Sequence, residues 1–180
     1  MYKRQVLPGS RKQELQYILP VITDLIKNNQ EFTYLVAAVS NLDEHLYDEL
    51  RSLDNVKLIT GHTYNILALA DAALVTSGTA TLETALWKVP QVVLYKGNPI
   101  SMFIAKMLVK VKYISLVNLI LDEPCVKELI QEDCSLQNIE DELKRILEHP
   151  TDYSKLERVI GKHNASEYTA TGIIAMLNDQ

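Results

Sequence analysis

Short β-branched runs alternate along this chain with longer stretches that carry apolar residues at helical spacing. Val6–Leu7, Phe32–Val39, Val56–Ile59, Ala72–Thr76 and Gln91–Tyr95 read as strands. Lys12–Asn28, Asn41–Leu53, Tyr64–Ala70, Thr79–Trp87 and Pro99–Val111 read as the intervening helices, and Ser135–Glu148, Asp152–Lys162 and Glu167–Leu177 carry the helical pattern to the end. Strand and helix in regular alternation mark βα units around a parallel sheet. The expected fold class is therefore α/β, a Rossmann-like parallel sheet flanked by helices, with a helical C-terminal tail. Pro20 falls inside the first helix and should kink or split it. The first strand is short of apolar residues, because polar Tyr2–Gln5 precedes Val6, and this predicts a chain that begins inside a longer protein. Pro150 divides residues 1–150, the sheet-bearing domain, from a helical segment 151–180 that could reach across to another domain. Glu128–Asp133 reads as the end of a short helix that starts after Pro124.

Charge and composition narrow the partners. With 18 Lys+Arg against 23 Asp+Glu the net charge is −5, and no long basic block appears, so nucleic acid is not expected as a partner. No apolar run approaches the roughly 18 residues of a membrane span, and no signal peptide is visible, which predicts a cytoplasmic chain. Cys125 and Cys134 lack the further Cys or His ligands of a zinc site and read as reduced thiols. There is no Asp-x-Asp metal motif, and His45, His62, His149 and His163 form no hydrolytic triad; neither metal nor cofactor is expected. His62, after Gly61 in a loop that follows a strand, is the one histidine with the placement of a site residue.

Four of the 6 glycines, Gly9, Gly61, Gly78 and Gly97, follow strand candidates. In open α/β sheets ligands bind beyond the carboxyl ends of the strands, where glycine lets a backbone come close. Two of these glycines stand in motifs suited to an anion. In Pro8-Gly9-Ser10-Arg11 the N–H groups of a helix start and an adjacent guanidinium would suit a phosphate or diphosphate; a plain strand-to-helix turn with Ser10 as N-cap would be written the same way. In Thr76-Ser77-Gly78-Thr79-Ala80-Thr81-Leu82-Glu83 a strand runs through small hydroxyl residues into a helix, so several donors can converge on one anion. Glu83 lies one helical turn beyond Thr79, where a carboxylate could accept from a ribose diol; a simple capping arrangement is the other reading. Neither a Walker loop nor Gly-x-Gly-x-x-Gly is present.

Three further segments stay open on residue chemistry alone. Asn118 interrupts the apolar stretch Ser115–Ile120, as a loop-tying residue or as a ligand contact. Gln131 ends a mostly charged segment and is ambiguous. Ile100–Tyr113 mixes Phe103, Ile104 and Met107 with Lys106, Lys110 and Lys112, a pattern shared by a core-facing helix and by one lying on an anionic membrane.

Taken in order, Leu7-Pro8-Gly9-Ser10-Arg11-Lys12-Gln13-Glu14, Ala70–Leu74 with Ser77–Glu83, Val92–Lys96, Tyr113–Leu116 with Asn118-Leu119, and Lys127–Gln131 resemble the C-terminal half of the lipid-A-disaccharide synthase family. The resemblance implies one half of a GT-B glycosyltransferase, with the active site in the cleft between two Rossmann-like domains. It implies transfer of 2,3-diacylglucosamine from its UDP derivative to 2,3-diacylglucosamine 1-phosphate, with release of UDP and inversion at the anomeric carbon. Gly9, Ser10, Arg11, Ser77, Gly78, Thr79, Glu83, Asn118 and Gln131 would then bind the UDP-sugar, with Arg11 and the Ser77–Thr79 loop facing the diphosphate, Glu83 the ribose, and Asn118 and Gln131 the donor side of the cleft. The general base and acceptor surfaces would belong to the other half, so this chain alone would be inactive, and membrane contact would be peripheral. Val117 departs from the proline usual before that Asn. Rival implications are a UDP-sugar epimerase or another GT-B transferase, and a non-enzymatic nucleotide-binding α/β domain.

Overall fold

The computed structural model describes residues 3–76, 78–98, 112–161 and 165–178. Its elements are β1 (Lys3–Leu7), α1 (Lys12–Asn28), β2 (Thr33–Ala38), a 3-10 turn (Glu44–Tyr47) leading into α2 (Asp48–Arg51), β3 (Val56–Thr60), α3 (Thr63–Leu67), β4 (Ala72–Thr76) and α4 (Thr79–Leu86). They continue with β5 (Gln91–Tyr95), α5 (Leu116–Leu121), β6 (Lys127–Ile130), α6 (Leu136–Glu148), α7 (Ser154–Ile160) and α8 (Ala165–Asn178). The six strands form one sheet in the order β3-β2-β1-β4-β5-β6, and every pairing is parallel. The chain winds outward in one direction through β3 and then resumes on the other side of β1. That reversal leaves a crevice between the carboxyl ends of β1 and β4, the place where open α/β sheets bind ligands.

Alternation along each strand builds a core on both sides of the sheet. On one face Val6, Val36, Leu74, Val92 and Leu94 pack against Leu15, Ile18, Ile22 and Ile26 of α1 and Ile139, Leu143 and Ile146 of α6. On the other, Leu7, Leu35, Ala73 and Val75 meet Ile66 and Leu67 of α3, while Val93 packs with Ala85, Val117, Leu121, Tyr153 and Leu156. At about 1.5–3 kcal/mol for each large apolar side chain taken out of water, these layers hold the sheet rigid beneath its loops. Tyr153 and Leu156 lie beyond Pro150 yet belong to this packing.

Several sequence expectations need correction. The first strand extends beyond the apolar pair Val6–Leu7: β1 runs five residues at the centre of the sheet, with Arg4 and Gln5 buried. The Arg4 guanidinium stacks 3.4 Å from the centre of the Phe32 ring and donates to the Tyr34 hydroxyl at 3.1 Å, so a buried cation replaces the expected apolar residue. α1 passes through Pro20 without splitting, the ring lying on its exposed side. Asn41–Leu53 is helical only from Glu44 to Arg51, because the Asp43 carboxylate caps the turn by accepting from the His45 N–H at 3.0 Å. Lys127–Ile130, expected as helix, is the edge strand β6, paired with β5 through Leu129 and its neighbours. The helix expected at Pro99–Val111 lies outside the described residues. Cys125 and Cys134 are both free, as expected of reduced thiols.

Candidate functional site

A cleft of about 450 Å³ opens at the reversal between β1 and β4. Its walls come from the two turns that leave those strands: Leu7, Pro8, Gly9, Ser10, Arg11 and Glu14 on one side, and Thr76, Gly78, Thr79, Ala80 and Glu83 on the other. Ala37 near the end of β2, Val39 just after it and Thr63 at the start of α3 complete it. The two segments singled out for an anion are thus brought face to face, although the whole of residues 12–75 separates them along the chain. Ser77 lies outside the described residues.

Both helices begin at the cleft without a side-chain cap. Arg11 is the N-cap of α1 and Gly78 that of α4, and neither supplies a side-chain hydrogen bond to its helix. Ser10 does not take the capping role open to it in the sequence. The first N–H groups of a helix have no partner within it, and the helix dipole places partial positive charge there. Two such ends meet at the crevice, with Arg11 beside them. Gly9 reaches the site at φ +99°, and a Cβ added there would lie 2.7 Å from Glu14 Oε2 and 3.5 Å from Thr76 Cγ2. Gly78, at φ +137°, also adopts backbone that L side chains rarely enter.

The charges are unequal. Arg11 is the one cation among the described lining residues, and its side chain is 82% exposed. Glu14, at 21% exposure, holds it through a 3.1 Å ion pair across one helical turn. Glu83 has no ion-pair partner among the described residues and stands one turn inside α4, free to accept from hydroxyl groups. Glu14 and Thr76 were not named as site residues from the sequence. Glu14 could have been found by its i,i+3 spacing from Arg11. His62 is exposed and is not among the lining residues; its neighbour Thr63 is.

A model of the lipid-A-disaccharide synthetase family matches residues 3–176. The chain belongs to this family. It is 37% identical over 186 residues to the lipid-A-disaccharide synthase of Syntrophus aciditrophicus (strain SB), covering 96% of this chain and 49% of the relative. With the Histophilus somni (strain 2336) enzyme of the same name it shares 33% over 194 residues, 97% of this chain and 50% of the relative. The chain thus spans about half the length of these curated relatives. Among solved structures, UDP-GlcNAc 2-epimerase from Neisseria meningitidis bound to UDP-GlcNAc superposes with a TM-score of 0.56 at 19% identity, over 97% of this chain and 44% of that one. E. coli ADP-heptose lps heptosyltransferase II superposes at 0.57 and 12% identity, over 81% and 46%. These likenesses show the fold, the Rossmann-like half found in GT-B enzymes.

For a lipid-A-disaccharide synthase half, the remaining two residues stand apart from the cleft. Asn118 is 1% exposed in α5. Its amide donates to the Val126 carbonyl and to Glu128 Oε1, both at 2.9 Å, and its carbonyl accepts from the Val126 N–H at 2.9 Å. Gln131 is 7% exposed, at φ +54°, and clasps Gly97 from both sides: Oε1 accepts from the Gly97 N–H at 2.9 Å and Nε2 donates to its carbonyl at 3.2 Å. Neither lines the crevice between β1 and β4; both fix loops at the β5–β6 end of the sheet. Among the described residues no group of three or more His, Cys, Asp or Glu could hold a metal ion, and no helix is long and apolar enough to cross a membrane.

Proposed function

We propose that the protein is the donor-binding half of a glycosyltransferase of lipid A biosynthesis, which transfers 2,3-diacylglucosamine from its UDP derivative to 2,3-diacylglucosamine 1-phosphate. The observation that carries the reading is the pair of uncapped helix starts, with Arg11, meeting at the crevice of a chain of this family. In the reaction an acceptor hydroxyl attacks the anomeric carbon from the face opposite UDP and gives its proton to a base. The bond from that carbon to the diphosphate oxygen breaks, and UDP leaves with the electron pair. Negative charge grows on the departing diphosphate. Arg11 and the N–H groups at Gly78–Thr79 stabilise it without reorganising, which is where such a site lowers a barrier. Glu83 accepts from the ribose diol.

The relatives are about twice as long, and the base and acceptor surface belong to the part that this chain does not cover. Residues 151–180 bridge to that part: on α8 Ile173, Ile174, Met176 and Leu177 are all more than half exposed, as a helix awaiting a second surface would be. Contact with a membrane is peripheral and follows from the amphiphilic substrates. Titration of the 180-residue chain with UDP tests the reading. The wild type binds, Arg11→Ala binds about tenfold or more weakly because a charge-assisted bond is lost, and no disaccharide is formed. Equal affinities would remove Arg11 from the site, and transfer by the purified chain would overturn the division of labour.

A further inference from the structure

Ala72, Leu74 and Thr76 follow one another on the same face of β4, and the first two are core residues packed over α1. The row ends in a hydroxyl. Thr76 is 5% exposed, and its Oγ1 is wholly buried without a hydrogen-bond partner among the described residues. Thr81 and Thr84, in α4 just above, are both satisfied: Thr81 Oγ1 donates to the Gly78 carbonyl at 2.8 Å and Thr84 Oγ1 to the Ala80 carbonyl at 2.7 Å. Thr76 differs from them in where it stands, at the floor of the cleft, with its methyl 3.5 Å from the point where a Cβ on Gly9 would lie. Valine has the same shape, suits a strand at least as well, and would carry no unpaired polar group. A lone buried hydroxyl between two anion-receiving turns is an uncompensated cost unless something else uses it.

We propose that Thr76 is a ligand-binding residue, whose hydroxyl donates to an oxygen of the diphosphate held between the Gly9–Arg11 turn and the start of α4. The proposal rests on the reading of this cleft as a UDP site and adds to it a neutral donor at its floor, beneath the charged groups at its rim. Thr76 lines the cleft together with Gly9, Arg11 and Glu14. Because the hydroxyl has no partner in the unliganded fold, its removal affects the two states in opposite ways.

The test compares wild type, Thr76→Val and Thr76→Ser in thermal unfolding without ligand and in calorimetric titration with UDP. Thr76→Val melts at or above the wild-type temperature while binding UDP about tenfold or more weakly, and Thr76→Ser keeps affinity within about threefold. If wild type binds and Thr76→Val binds equally well, the proposal fails and the cleft reading stands. A Thr76→Val chain that is less stable without ligand would show that the hydroxyl holds the fold, which also overturns the proposal. Absence of UDP binding by the wild type would end the cleft reading, and this one with it.

Discussion

The Glu128 carboxylate accepts from Ser115 twice, from its N–H at 2.9 Å and from its hydroxyl at 2.7 Å. It also accepts from the Ile114 N–H at 3.0 Å and the Asn118 amide at 2.9 Å, so an internal anion sits at the start of α5 where a bound one could otherwise lie. Both N–H groups and one acceptor site of the Asn118 amide are used within the fold. The arrangement also joins the Glu128 side chain of β6 to backbone and side-chain donors at the start of α5. Glu128→Gln keeps the size and turns an NH2 group toward donors, leaving at least one unsatisfied. We expect it to lower stability by about 1–3 kcal/mol, and Asn118→Ala to do the same, both measured by urea unfolding without ligand. An unchanged midpoint for either would show that the network is ornamental.

Gly9 couples fold to site more directly. At φ +99° an alanine is strained, and its Cβ would press on Glu14 Oε2, the carboxylate that holds Arg11. The side chain of Glu14 can swing aside, so the backbone conformation dominates the cost. Gly9→Ala is expected to lose about 1–3 kcal/mol in stability and, beyond that, to weaken UDP binding at temperatures where the chain remains folded. Normal affinity in a destabilised Gly9→Ala would separate the turn geometry from ligand binding.

The sheet and the two turns that line the cleft were legible because their signals are local. β4, β5 and α1 match their expected bounds, since runs such as Ala72–Thr76 are apolar and end in turn residues. What the sequence hid depends on distant partners. Arg4 and Gln5, polar residues set before the apolar Val6, are buried, Arg4 because Phe32 and Tyr34 at the start of the neighbouring strand receive it. Lys127–Ile130 offers one deeply buried residue, Leu129, and becomes strand only through the open edge of β5. Asn118 and Gln131 show the same limit at the site. Their amides were read as ambiguous, and it is Glu128 and Gly97, supplied by other elements, that use them.

Gln5 marks a place where the core is not optimised. It lies beside Ala73, which in turn lies beside Gln91, one row across three strands. Gln91 donates through Nε2 to the Thr81 carbonyl at 2.9 Å and leaves only its Oε1 unpaired, whereas both polar atoms of Gln5 are buried without partners among the described residues. Gln5→Met conserves length and removes that unmet demand. It should raise stability by about 1 kcal/mol or more, whereas Gln91→Met should lower it. A Gln5→Met chain that unfolds more easily would mean that the amide is bonded, for instance through an internal water.

Tyr153 gives the fold a measurable weakness to alkali. Its hydroxyl donates to the Val89 carbonyl at 3.0 Å and accepts from Gln91 Nε2 at 3.3 Å, and burial pushes its pKa up to about 12 from the ordinary 10.0. An unfolded tyrosine releases its proton near 10, so between that value and about 12 the folded chain holds more protons than the unfolded one. The contribution is complete below about pH 10 and is lost as the pH rises through the folded value. Burial also raises Tyr34 and Tyr47, which add to the same decline. Tyr153→Phe should be less stable at about pH 8, by roughly 1 kcal/mol for the lost hydrogen bonds, yet decline less steeply between about pH 9 and about pH 11.5. Urea midpoints across that range decide it. Parallel curves for the two chains would mean that the Tyr153 phenol is not held neutral by the core that encloses it.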